Sequence, residues 1–132
     1  MGYGLNMEYH NDVGAGEKTL IKYPFDLSGK QDIQWNYIHC TRSNKCITLK
    51  HGKIYTCPMA AHAGIIRFAK EFFGLEIELS ENDSINIYKI ETFEEITNFL
   101  IHPIPFCRYC NPDIKDYSLS WEPTTKKIDE WT

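Results

Sequence analysis

Five cysteines carry the chemistry legible in this sequence of 132 residues. They fall in two clusters, Cys40-x5-Cys46-x10-Cys57 and, about fifty residues on, Cys107-x2-Cys110. Thiolates are soft ligands, and a Cys-x2-Cys step lets two sulfurs converge on one centre without backbone strain. Zinc knuckles and iron–sulfur proteins both use it. A pair from the first cluster with the pair from the second makes four sulfurs, enough for a tetrahedral zinc or one cubane cluster. Two plainer uses compete with metal binding: buried cysteines that hold nothing, and a Cys107–Cys110 redox disulfide. The disulfide reading wants its Cys-x2-Cys at the start of a helix in a βαβ setting. Here the pair instead follows a helix through Pro103-Ile104-Pro105-Phe106. His62, five residues past Cys57, offers a Cys3His zinc site, but its place on a helix suits an ordinary packed or exposed histidine better. His10, His39, His51 and His102 belong to no motif.

The elements that must position these sulfurs are partly readable. Cys46 to Cys57 reads as a β-hairpin with His51-Gly52 as its two-residue turn, because both central residues of such a turn need positive φ. Counting outward pairs Lys50 with Lys53, Leu49 with Ile54, Thr48 with Tyr55 and Ile47 with Thr56. That register brings Cys46 opposite Cys57, with Cβ atoms roughly 5 Å apart. Pro58 opens a helix. Ile65, Phe68, Ala69 and Phe72 form its stripe at i, i+3, i+4 and i+7, and Gly74 is its stop. Ile85–Tyr88 reads as a short strand. Thr92-Phe93-Glu94-Glu95 is a capping box, and Phe93, Ile96, Phe99 and Leu100 supply the apolar face of the helix it opens. Pro103 and Pro105 end that helix. Upstream, Leu20–Phe25 reads as an edge strand and Ser28-Gly29-Lys30 as a turn. Residues 31–39 fit a helix or a strand. A last short helix is expected over 123–131.

Composition narrows the functions. The aromatic content and the quarter of residues that are charged describe a globular domain, and the net charge of −4 argues against a phosphate-binding surface and hence against nucleic acid. No apolar run approaches the roughly 20 residues of a membrane span. The N-terminus shows no secretory pattern, so a cytoplasmic location is expected, where cysteines serve more often as ligands than in disulfides. No phosphate loop, nucleophile elbow or HExxH motif occurs.

The cysteine pattern also carries a resemblance. Cys40, Cys46 and the Gly52-Lys53-Ile54-Tyr55-Thr56-Cys57 step resemble the start of the auxiliary-cluster region, called SPASM or twitch, at the C-terminus of radical SAM proteins. The runs Gly29–Ile33, Ser84–Lys89, Pro103-Ile104-Pro105-Phe106-Cys107-Arg108-Tyr109-Cys110 and Ile128–Trp131 are similar to the tails of bacterial members of that group. The likeness covers about residues 20–132. It implies an auxiliary [4Fe–4S] cluster that relays electrons or positions substrate for a radical SAM catalytic domain, in cis or in trans. The radical SAM motif Cys-x3-Cys-x2-Cys is absent. There is also no room for a barrel of roughly 200 residues, so the chain corresponds to the auxiliary domain alone. Five cysteines match the half-sized twitch form. Under this resemblance Cys46, Cys57, Cys107 and Cys110 make the core ligand set with Cys40 as a close substitute, and Arg108 either counters cluster charge or is a solvated surface arginine. Phe106 and Tyr109 shield the site from water.

The sequence thus leads to an α+β fold: a small cysteine-rich domain over 20–132, preceded by a flexible lead-in over 1–19. A central β-hairpin and two to three helices are expected around one metal site. A structural zinc module that binds a protein partner is the alternative to the iron–sulfur reading.

Overall fold

The structure is a computed structural model that describes residues 19–21, 25–77, 79–112, 118–120 and 123–130. The expected lead-in therefore lies almost wholly outside the described residues. Among them, a three-stranded antiparallel sheet, a separate two-stranded pair and four α-helices make up an α+β architecture.

The hairpin forms where its turn chemistry demands. Strands β2 (Thr48–Lys50) and β3 (Lys53–Tyr55) pair Thr48 with Tyr55, Leu49 with Ile54 and Lys50 with Lys53. His51 and Gly52 take φ of 49° and 71° at the tip, the left-handed values that match the twist of the flanking strands. A third strand, β4 (Ile85–Asn86), covers the outer edge of β3 through Ile54–Ile85 and Lys53–Asn86. The expected strand over 85–88 stops short because Asn86 caps a 3-10 turn, Ile87–Lys89.

The ladder does not reach the cysteines. Before β2 the chain turns at Arg42–Cys46, where the Lys45 and Cys46 amides both donate to the Arg42 carbonyl. Asn44, at φ 60°, sends its amide to the Thr56 carbonyl. The partner of Thr56 is thus Asn44, not Ile47, and Cys46 turns outward to an exposed position. The count that set Cys46 opposite Cys57 assumed a straight strand beyond Thr48.

Residues 31–39 resolve as a helix, α1 (Ile33–His39), because Asp32 accepts hydrogen bonds from the Gln34 and Trp35 amides at its start. The helix expected from Pro58 is two. α2 (Pro58–Ala61) ends at His62, whose φ −95° and ψ 81° are not helical, and α3 (Ala63–Phe73) begins at once. The break frees the Ala61 carbonyl for Lys50 Nζ at 3.0 Å, tying α2 to β2. Gly74 closes α3 in the left-handed conformation. Of the expected stripe, Ala69 is buried but Phe72 is exposed.

The Thr92 capping box forms, with both its reciprocal bonds, at the start of α4 (Phe93–Leu100). Phe93 corrects the expected apolar face: it is 80% exposed, since the first residue after the cap points away from the core. Residues 123–130 hold only a 3-10 turn, Ile128–Glu130. Strand β1 (Thr19–Ile21) pairs antiparallel with β5 (Ser118–Ser120). No described helix is long and apolar enough to cross a membrane.

The buried core consists of Phe25, Ala60, Ala69, Ile77, Ile104 and Phe106, and three cysteines, Cys57, Cys107 and Cys110, pack against it. Sulfurs from both sequence clusters therefore meet one hydrophobic centre.

Candidate metal centre

Three segments deliver the thiols. The third is a 3-10 turn, Pro105–Tyr109, started by a proline at a position that loses no hydrogen bond. Cys107 lies within this turn and Cys110 caps it, its amide donating to the Cys107 carbonyl at 3.2 Å. Cys57 stands at the N-cap of α2, immediately after the buried Thr56. Cys40 is the C-cap of α1 and receives the Arg42 amide on its sulfur at 3.4 Å.

Two polar side chains fix the turn. Asn36, only 2% exposed, points from α1 and uses both amide hydrogens: Nδ2 donates to the Cys107 carbonyl at 2.8 Å and to the Cys110 carbonyl at 2.6 Å. On the other side lies Asp83, 1% exposed, in the 3-10 turn Glu81–Asp83. Its Oδ1 accepts the Phe106 amide and its Oδ2 the Ser80 amide, both at 2.6 Å. Backbone pairing closes the rest: the Asp26 amide donates to the Tyr109 carbonyl, and Phe25 bridges to Cys110.

Burial sets the state of these thiols. Burial pushes the Cys107 thiol up to about 11, partly offset by the Ile104 amide, and the Cys57 and Cys40 sulfurs and the Asp83 carboxylate raise it further. Burial also lifts Cys110, reinforced by Cys107, Cys57 and Cys40. Cys57 is raised by burial, held back by the Ala60 and Met59 amides, and pushed again by Cys40 and Asp83. Charge on Cys40 would thus bear on the Cys57, Cys107 and Cys110 thiols. The structure packs three of the five candidate ligands, Cys57, Cys107 and Cys110, against one core, with Cys40 within electrostatic range of them and Cys46 exposed. All five cysteines are free thiols. His62 is exposed beyond the end of α2.

No three His, Cys, Asp or Glu side chains among the described residues close tightly enough to grip a single metal ion. Around one zinc, sulfurs would have to approach within roughly 3.8 Å of each other, given a Zn–S bond of about 2.3 Å and tetrahedral angles. In a cubane each sulfur takes its own iron, so the thiols stand farther apart.

Arg108, between the two turn cysteines, has its stem fixed by a bond from Nε to the Pro105 carbonyl at 2.9 Å, with its guanidinium 5.7 Å from the centre of the Tyr109 ring. With Glu76, Leu79, Ser80 and Tyr109 it lines an open, mainly polar cleft beside the turn. Sequence reasoning missed Asn36 and Asp83. Ser80-x-x-Asp83 is a readable capping pattern, but nothing local announces that its carboxylate also serves Phe106.

The raised thiols predict a pH dependence. A thiol lifted in the folded chain keeps its proton where the unfolded chain has lost it, so between about 9 and 11 the folded state binds more protons and stability falls as pH rises. The melting temperature of metal-free protein is expected to decline across that window, and less steeply in a Cys107→Ala/Cys110→Ala variant. Equal slopes for the two proteins count against shared burial of these thiols.

No family model, curated protein or solved structure matches this chain.

Proposed function

We propose that this chain is an auxiliary iron–sulfur domain, holding a [4Fe–4S] cluster through Cys40, Cys57, Cys107 and Cys110 and serving a radical SAM catalytic domain in cis or in trans. The observation that carries the reading is the packing of Cys57, Cys107 and Cys110, thiols from remote segments, against one apolar core, with Cys40 within electrostatic range of all three. Four thiolates in a low-dielectric setting repel one another, and a cationic iron–sulfur core is the ligand that turns this repulsion into binding. Once bound, such a cluster supplies one-electron transfer or an iron site for substrate.

The chain's own residues do the rest. Asn36 and Asp83 hold the turn cysteines in place before any metal arrives, which lowers the ordering cost of binding. Phe106 and Ile104, 1% and 2% exposed, exclude water from one side. The Arg42 amide on Cys40 offers a hydrogen bond that stabilises thiolate charge. The open cleft beside Arg108 and Tyr109 gives a substrate or a catalytic domain access to the same turn. The arrangement includes no paired acid and base, so chemistry is assigned to the partner domain.

Structural zinc is the second reading, since the same four thiolates suit it. Iron, acid-labile sulfide and zinc analysis of anaerobically purified protein, with its visible spectrum, separates the two. Brown protein with matched iron and sulfide supports the cluster. Colourless protein carrying one zinc per chain defeats it.

A further inference from the structure

Arg108 and Tyr109, which line the cleft beside the cysteine turn, are held more firmly than solvent-facing side chains require. Their carbonyls accept the Gln31 and Asp26 amides at 3.3 and 2.8 Å. Gly29, at φ 62°, passes so close that a Cβ there would stand 2.7 Å from Tyr109 Cε1 and 3.4 Å from Arg108 Cδ. The Arg108 Nε bond to the Pro105 carbonyl, at 2.9 Å, occupies one N–H and fixes the plane of the guanidinium. Among the described residues its Nη groups have no hydrogen-bond partner, and neither does the Tyr109 hydroxyl. The Ser80 hydroxyl accepts the Asn82 amide at 3.2 Å, which leaves its own proton to donate. The cleft that these residues line with Glu76 and Leu79 has a volume of about 560 Å³, the size of a small-molecule site.

We propose that this cleft binds a small organic molecule through a single carboxylate seated on the Arg108 guanidinium. The unpaired groups of its lining residues, the Arg108 Nη N–H, the Tyr109 O–H and the Ser80 O–H, are donors, so they suit acceptor oxygens. A planar carboxylate matches two parallel guanidinium N–H groups. Because the guanidinium is fixed beforehand, less side-chain freedom is lost when the ligand arrives. Charge disfavours a dianion such as a phosphate monoester. Glu76 lines the same cleft, and its Lys70 partner, 3.4 Å away and 68% exposed, is held only weakly. Leu79 and the face of the Tyr109 ring offer the rest of the ligand an apolar wall. The site uses no sulfur, so it stands apart from the iron–sulfur reading.

Isothermal titration of the full chain with N-acetyl-leucine, which has one carboxylate and an apolar arm, tests the proposal. N-acetyl-leucinamide, the same molecule without the carboxylate, and inorganic phosphate are the comparison probes. The expected result is saturable binding of N-acetyl-leucine, none of N-acetyl-leucinamide, and weaker binding of phosphate. Arg108→Gln removes both charge and fork and is expected to weaken N-acetyl-leucine binding about tenfold or more. Arg108→Lys keeps the charge without the fork and should still lose most of that factor. Tyr109→Phe keeps the ring and loses the hydroxyl, for a loss of about threefold. Thermal melts show whether each variant is folded, and Arg108→Lys decides the matter if Arg108→Gln is not. No saturable binding to wild type, equal binding of N-acetyl-leucinamide, tighter binding of phosphate, or unchanged affinity in a folded Arg108 variant overturns the proposal.

Discussion

Replacing Cys57 by serine is expected to strip most of the iron from the anaerobically purified protein and to lower its melting temperature, whereas Cys46→Ser leaves both near wild type. The contrast follows from position. Cys57 lies against the core, coupled to Cys40, Cys107 and Asp83, while Cys46 is exposed beyond a turn that leads the chain out of the ladder. A serine hydroxyl is a poor replacement for a thiolate on iron, and a site that closes two remote segments contributes its binding free energy to folding. Cys40→Ser should behave like Cys57→Ser, because Cys40 acts on all three of the other sulfurs. Iron assay and thermal melts on the three variants decide the matter. Iron lost from Cys46→Ser but kept in Cys40→Ser would restore the hairpin pairing and remove Cys40 from the site.

The largest effect on stability is expected at Phe106. Its ring is 1% exposed and packs edge-on against Phe25 at 6.2 Å between centroids, with Tyr109 at 5.7 Å. Phe106→Ala removes that packing and leaves a cavity under the cysteine turn, at a cost of about 3–5 kcal/mol. For a domain of this size that corresponds to a fall in melting temperature of roughly 10–20 °C. Phe93→Ala is the matched control: at 80% exposure it should stay within about 0.5 kcal/mol of wild type. Denaturant melts of both proteins test the pair, and similar losses from the two would mean that the core does not centre on Phe106.

What was legible in the sequence was local. His51-Gly52 announced the hairpin because two successive positive φ values are a demand few residue pairs meet. Thr92 and Glu95 announced α4, and Gly74 the end of α3, for reasons equally confined to a few neighbouring residues. What stayed hidden depended on distant partners. Helix α1 misleads periodicity, because Ile33, Trp35 and Ile38 are exposed while its buried residue is Asn36. An asparagine makes sense there only once the Cys107 and Cys110 carbonyls are in view. Strand β5, Ser118-Leu119-Ser120, is too short to carry a pattern, and its partner β1 lies almost a hundred residues away. Cys46 stood in the expected ligand set because the register was extended past Thr48, and the turn at Asn44 broke it.

The two anchors also explain how a domain this small can keep a polar site near its core. Buried polar groups destabilise unless paired. Asn36 pairs both its amide hydrogens, and Asp83 pairs both its oxygens. The turn that bears Cys107 and Cys110 is thus held from both ends.

The most direct measurement is a crystal structure of the anaerobically purified protein with an anomalous difference map recorded at the iron edge. The account predicts one compact iron peak within bonding distance of Cys40, Cys57, Cys107 and Cys110, with Cys46 outside it. Iron bound at Cys46 and away from the Pro105–Tyr109 turn, or four thiols of anaerobic protein in van der Waals contact with nothing but each other, would contradict it.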